Sequence, residues 1–121
     1  MGFYENLGQY TPDKLIAGTK VPRLLEGIII ESGQGELKRG SLLGKVTETG
    51  KFKLVDEKAT DGSEKPLIIL ADDIDATKEI KTIGYISGEF NKHAIYVAEG
   101  TDINKFEIEL RKLGIYLVKV I

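Results

Sequence analysis

Glycine placed inside short apolar runs restricts this chain more than any other feature. Gly27, Gly40, Gly44, Gly84 and Gly88 sit in or beside aliphatic, β-branched segments at 24–31, 41–48, 67–71 and 82–90. A glycine in a strand costs backbone entropy and packs nothing, so it marks a bulge, a bend or a close backbone approach. Gly27 is read in that way within 24–31. A sheet with this many such positions is expected to fold sharply on itself, as a small barrel or a bent ribbon.

The remaining punctuation agrees with a mainly β body. Ser32-Gly33-Gln34-Gly35 reads as a turn. Thr49-Gly50 joins strands at 41–48 and 51–56 in a hairpin, and Lys51, Phe52, Lys53 and Leu54 alternate as a half-buried strand should. Residues 57–66 form a polar loop, 67–71 a buried strand and 72–77 a turn. Residues 82–90 read as one strand, then Asn91-Lys92-His93 turns into a strand at 94–98. One helix stands out: Ile103, Phe106, Leu110 and Leu113 share a helical face, Thr101 or Asp102 caps its start, and Gly114 stands where a C′ glycine belongs. A last strand covers 115–121.

Residues 1–23 differ. Phe3, Tyr4, Leu7 and Tyr10 follow neither helical nor strand spacing, and Gly8, Pro12, Gly18 and Pro22 interrupt them. Proline fixes φ and pushes the residue before it toward extended geometry. The reading is an extended N-terminal arm, 1–23, followed by one β-rich domain, 24–121. Unstructured tails are usually poor in aromatics. An arm that carries them either packs on its own domain or reaches a partner.

Composition then removes whole classes of function. The 121 residues include no Cys, no Trp, one His and one Met. A disulfide frame, a thiolate zinc site and a thiol nucleophile are excluded, and one chain cannot supply a multi-His metal site. Formal charge is −2 and evenly spread: three of each sign in 1–30, seven of each in 31–66, and seven positive against nine negative in 67–121. No segment has the basic excess that phosphate-backbone binding requires, so nucleic acid is not an expected partner. The start lacks a basic, then apolar, secretory pattern, and no apolar run approaches a membrane span. Neither a membrane partner nor a cofactor is expected.

Three constellations resemble chemistry. Gly35 and Gly40 have P-loop spacing, but Ser41 stands where the lysine must be and no helix follows, so the segment reads as a turn into a strand. Asp72, Asp73 and Asp75 cluster, but Thr77 and Ile83 occupy the positions where a calcium loop needs glycine and glutamate. They read as a solvated turn. His93 has no evident nucleophile beside it, so it reads as a turn histidine. No catalytic residue or metal ligand is assigned, and the chain is not read as an enzyme.

The ordered motifs resemble a known family. They are YTPDKLIAG at 10–18, IESG at 30–33, LKRGSLLG at 37–44, GKF at 50–52, DGS at 61–63, IILADDIDAT at 68–77, ISGEFN at 86–91 and LRKLGI at 110–115. Together they resemble tailed-phage head decoration proteins, the family of phage lambda's head decoration protein. They look close to the branch typical of Gram-positive phages and prophages. The resemblance implies a non-enzymatic structural protein of the virion with a β-clip-like body and one short C-terminal helix. It implies synthesis in the bacterial host cytoplasm and assembly as a homotrimer on the outside of the expanded capsid. There the trimer would clamp the major capsid protein against the pressure of packaged DNA. It also implies that the arm docks the capsid, through Phe3, Tyr4, Leu7, Tyr10, Pro12 and Leu15.

Two readings compete with it. One is a small oligomeric ligand-binding or hydrolytic β-domain whose site forms between subunits, using His93 and Asp72–Asp75. The other is a different virion role, in the tail or in head completion.

Overall fold

The computed structural model describes residues 14–119. In chain order the strands are β1 (Ile16–Gly18), β2 (Leu25–Ile30), β3 (Glu36–Leu37), β4 (Leu42–Lys45), β5 (Phe52–Leu54), β6 (Pro66–Leu70), β7 (Ile74–Asp75), β8 (Ile80–Tyr85), β9 (Gly88–Asn91) and β10 (Ile115–Val118). Among the described residues there is one α-helix, α1 (Glu107–Leu113), which lies before β10, and short 3₁₀ turns cover Lys92–Ala94 and Ile103–Phe106. The molecule is mainly β, as the sequence implies.

Five strands close into a barrel in the order β2-β5-β4-β6-β8. The longest seam is β2 against β8, antiparallel from Leu25↔Tyr85 to Ile30↔Ile80. The expected hairpin is present: Leu43 pairs Leu54, Lys45 pairs Phe52, and Gly50 closes the turn through its N–H to the Val46 carbonyl at 2.8 Å. Outside the barrel, β9 is flanked by antiparallel β1 and parallel β10. A two-stranded β3–β7 pair completes the set.

The barrel wall separates two cores because strand side chains alternate between faces. Ile28, Ile30, Leu43, Phe52, Ile68 and Leu70 face inward together, with Leu37 and Ala76 contributed from the β3–β7 region. Leu42 and Ile69, one position along from Leu43 and Ile68, face out. They pack with Leu15, Phe90, Phe106, Leu110 and Ile115 beneath the outer sheet and helix.

The glycines divide by role. A Cβ on Gly44 would collide with the Ser63 carbonyl and lie 2.6 Å from that of Lys65. A Cβ on Gly84 would run into the Ile68 side chain. Both sit where the wall is pinched, and the expected tight barrel follows from them. Gly27 does not fit that expectation. It pairs Ile83 in an unbroken ladder, and a Cβ there would meet nothing within 4 Å.

Four other expectations need correction. Residues 82–90 are two strands in different sheets, because Gly88, with φ 141°, redirects the chain from β8 into β9. The segment 72–77 contains β7. Residues 94–98 form no strand: Tyr96 makes a single bridge to Ser41, and Ala98 N–H donates to the Val55 carbonyl at 2.9 Å. The helix face is shorter than its spacing suggests. Its first turn is 3₁₀, capped by Asp102 accepting from Asn104 N–H, and Leu113 is 45% exposed. Gly114 does end the helix in the left-handed region, with φ 93°.

Candidate functional site

The arm meets the body earlier than residue 23. Leu15 is 1% exposed and packs in the outer core, so its side chain belongs to the body's own interior. Its carbonyl accepts from Asn91 N–H at 2.6 Å. Ile16 then pairs Phe90 and Gly18 pairs Glu89, an uneven register in which two residues of β1 advance past one of β9. That is a β-bulge, which bends a strand and ends its pairing. Phe3, Tyr4, Leu7, Tyr10 and Pro12 lie outside the described residues.

Beyond the bulge, side chains of the β8–β9 corner and β9 hold the chain to the body. Lys20 N–H donates to Glu89 Oε1 at 2.9 Å. Ser87 Oγ donates to the Pro22 carbonyl at 2.7 Å and accepts from Leu24 N–H at 3.2 Å. Ile86 N–H donates to the Leu24 carbonyl at 2.9 Å, which leads into β2. Sequence reasoning treated Ser87 and Glu89 as strand residues only. No local signal pointed to these contacts, because Ser87 and Glu89 lie 63 to 69 residues along the chain from the groups they hold.

The surface beside this strap is apolar. Leu24 and Leu25 are 55% and 53% exposed, and Ile83 stands across the ladder from Gly27 at 39%. A groove of about 700 Å³ opens nearby at the barrel wall. Ile28, Phe52, Leu67 and Leu113 are among its apolar lining, and Lys45, Lys51 and Lys81 are its cations. Lys51 is paired with Glu79, whose hydrogen bond and charge raise its pKa.

The structure places the three sequence constellations in turns and at strand starts. Ser41 is buried and its Oγ donates to the Lys38 carbonyl at 2.7 Å, in a turn that leads into β4. Asp73 Oδ1 accepts from Arg39 N–H at 2.7 Å. Asp75 Oδ1 accepts from Thr77 Oγ and N–H at 2.6 and 3.0 Å, which lowers its pKa. His93 lies in the 3₁₀ turn after β9, its backbone N–H bound to Asn91 Oδ1. Among the described residues, no three His, Cys, Asp or Glu side chains are grouped to hold a metal. No helix among them is long and apolar enough to cross a membrane.

The DGS segment is a tight polar clasp. Asp61 Oδ1 accepts from Ser63 Oγ at 2.5 Å and from Ser63 N–H at 3.0 Å, and Lys53 Nζ donates to Oδ2 at 3.3 Å. The Ser63 hydroxyl is the largest cause of a carboxyl pKa lowered to about 2. The clasp sets the Ser63 carbonyl against Gly44, which explains why a sequence motif and a pinched glycine occur together.

A five-stranded barrel entered by a strapped N-terminal segment is the setting of the comparison that decides the family. The family model described as bacteriophage lambda head decoration protein D matches residues 5–115. The chain belongs to the phage lambda head decoration protein D family. Family members are structural proteins of the phage capsid, so the role of the chain is to bind the phage head. The match begins at residue 5 and therefore includes most of the arm. No curated protein matches the chain.

Proposed function

We propose that this decoration protein binds the exterior of the expanded capsid as a homotrimer and stabilises it against internal DNA pressure. The observation that carries the reading is the family match over residues 5–115, on a chain whose described N-terminal segment is strapped to the body from Leu15 onward. Phe3, Tyr4, Leu7, Tyr10 and Pro12 are then the capsid-docking residues of the arm. Leu15 is the buried root that fixes where the arm departs. An extended segment can add a strand to an exposed sheet edge, where main-chain hydrogen bonds give affinity and alternate side chains give register. Ordering it costs about 1–2 kcal/mol per residue in backbone entropy. Three linked arms offset that cost by raising effective concentration, an avidity gain of ~10²–10⁴ where geometry allows simultaneous engagement.

The test is electron microscopy of expanded heads mixed with the purified protein. Density on the outer surface at three-fold and quasi-three-fold positions is the expected result. Density at the portal vertex or tail alone would assign a different virion role, and no density would remove the reading.

A further inference from the structure

The barrel has a loose seam. β2 pairs β8 along its whole length, from Leu25↔Tyr85 to Ile30↔Ile80, but meets β5 only where Ile30 pairs Phe52. Two hydrogen bonds fix which way the backbone groups of β2 point. On the β8 side, Ile86 N–H donates to the Leu24 carbonyl at 2.9 Å. On the β5 side, Glu31 N–H donates to the Phe52 carbonyl at 2.9 Å. In an antiparallel ladder every second residue bonds the partner strand, and the residues between turn their N–H and C=O away from it. The even-numbered residues of β2 therefore bond β8, and Leu25 and Gly27 present their backbone groups to the other side. No strand of the described residues pairs that side before Ile30.

The unpaired edge borders the groove of about 700 Å³ at the barrel wall. Gly27 and Ile28 line it together with Gly50 and Lys51 of the hairpin tip, and Leu67 and Leu113 add exposed apolar surface. Gly27 approaches nothing within the barrel. A strand glycine can also mark where a backbone from outside comes close. Charge adds a preference. Lys51 is matched by Glu79, whereas Lys45 and Lys81, both exposed, take part in no ion pair among the described residues. Glu26 is the one acidic residue of the lining. An unpaired strand edge beside apolar surface and two unmatched lysines suits an extended backbone that carries apolar side chains and a carboxylate.

We propose that the β2 edge accepts an extended segment of the capsid subunit as an added strand, with an acidic side chain of that segment set against Lys45 and Lys81. The inference rests on capsid binding by the family and deepens it. The family gives the capsid as partner, and the groove selects within it an acidic, strand-forming stretch. Main-chain hydrogen bonds to Leu25 and Gly27 supply affinity, and alternate side chains entering the groove set the register. The added strand also covers an edge that any other chain could use.

Hydrogen exchange and sedimentation test it. In the free full-length protein the Gly27 amide should exchange fast and the Ile28 amide slowly, at every protein concentration and with or without residues 1–12. On expanded heads the segment 25–29 should become protected. Gly27→Pro removes the N–H at the open edge and spares the ladder to β8, a placement that strands tolerate. Gly27→Ala keeps that N–H and is the reference. Affinity of Gly27→Pro for heads should be about tenfold lower than that of Gly27→Ala, the equivalent of one lost hydrogen bond. Lys45→Glu combined with Lys81→Glu should weaken binding several-fold. Equal binding by folded Gly27→Pro and Gly27→Ala would overturn the proposal, and so would a 25–29 segment that stays unprotected on heads. If Gly27→Pro does not fold, that protection decides alone. Equal binding by the lysine variant would overturn the acidic occupant. A Gly27 amide already protected in the free protein would also overturn it: loss of protection on removing residues 1–12 would make the occupant the chain's own arm, and loss on dilution a second copy. Heads that fail to bind wild type at all would strike the capsid-binding reading itself, whereas heads that bind wild type and Gly27→Pro alike strike this proposal alone.

Discussion

The inner and outer cores are built on opposite principles. The inner core is enclosed by strands that close into a barrel, with a loose seam at β2–β5, and its pinched glycines tolerate no side chain. The outer core is covered by β1, a three-residue strand with an interrupted register, and by a strap held through Ser87 and Glu89. Both bury large aliphatic and aromatic side chains. They differ in how the backbone is closed, since edge strands present unpaired groups that another chain can use. β1, the described strand nearest the N-terminus, belongs to the loosely closed layer, and the docking proposed for that terminus would use such a division.

The largest effect should fall on the closed layer. Gly44→Val places side-chain atoms against the Ser63 and Lys65 carbonyls, two backbone groups that cannot rotate away. Overpacking a well-packed site typically costs about 1–3 kcal/mol, and a clash with fixed backbone belongs at or above the top of that range. The urea midpoint should fall sharply or the folded state should be lost. Gly27→Val is the control within the same barrel. It enters open space in a regular ladder, and its stability should change by less than ~1 kcal/mol. Equal damage from both would dissolve the distinction between pinched and open glycines.

Leu15→Ala comes next. The side chain is fully buried, and truncating a buried leucine costs about 2–5 kcal/mol through lost transfer energy and the cavity left behind. Calorimetry should record a lower melting temperature for the body itself. An unchanged temperature would return Leu15 to the arm.

Ser87→Ala should be milder. It removes the hydroxyl that holds the Pro22 carbonyl and the Leu24 N–H, a net loss of about 1–2 kcal/mol. Hydrogen exchange should speed at residues 20–24 with little change in β4 and β6. Uniform acceleration would mean that the two layers open as one unit.

The smallest effect is the pH response of the DGS clasp. The Asp61 pKa in the folded protein is about 2, below the ordinary value of 3.8. A depressed carboxyl pKa contributes stability that is fully present above the unfolded value and is lost as pH falls through the folded one. Urea midpoints of the wild type should therefore decline between about pH 4 and 2, and Asp61→Asn should decline less over that window. Lys53 and Asp61 are both more than a third exposed, so solvent screens their pairing and the difference should be modest.

Much of the closed layer was legible in the sequence and less of the outer one was. Alternation at Lys51–Leu54 and the Thr49-Gly50 turn reveal the hairpin because both are local signals. The glycines of β4 and β8 announce close approaches, yet Gly27 carries the same letter with no such role, since a glycine's neighbours in space are not written beside it. The run at 82–90 hid a strand break because Gly88 differs from Gly84 only in φ, which the sequence does not record. Leu15 was taken for an arm residue because its own segment is short and proline-flanked. What buries it, Phe90 and the helix, lies far along the chain.

The central claim is that a self-sufficient body docks on a phage capsid through the residues preceding Leu15. Its most direct test is co-sedimentation with expanded heads of the full chain and of a chain lacking residues 1–12, with the circular dichroism melt of each. The account predicts that the shortened protein melts cooperatively within a few degrees of the full chain and stays in the supernatant, while the full chain pellets with the heads. A shortened protein that stays folded and pellets equally well would contradict it.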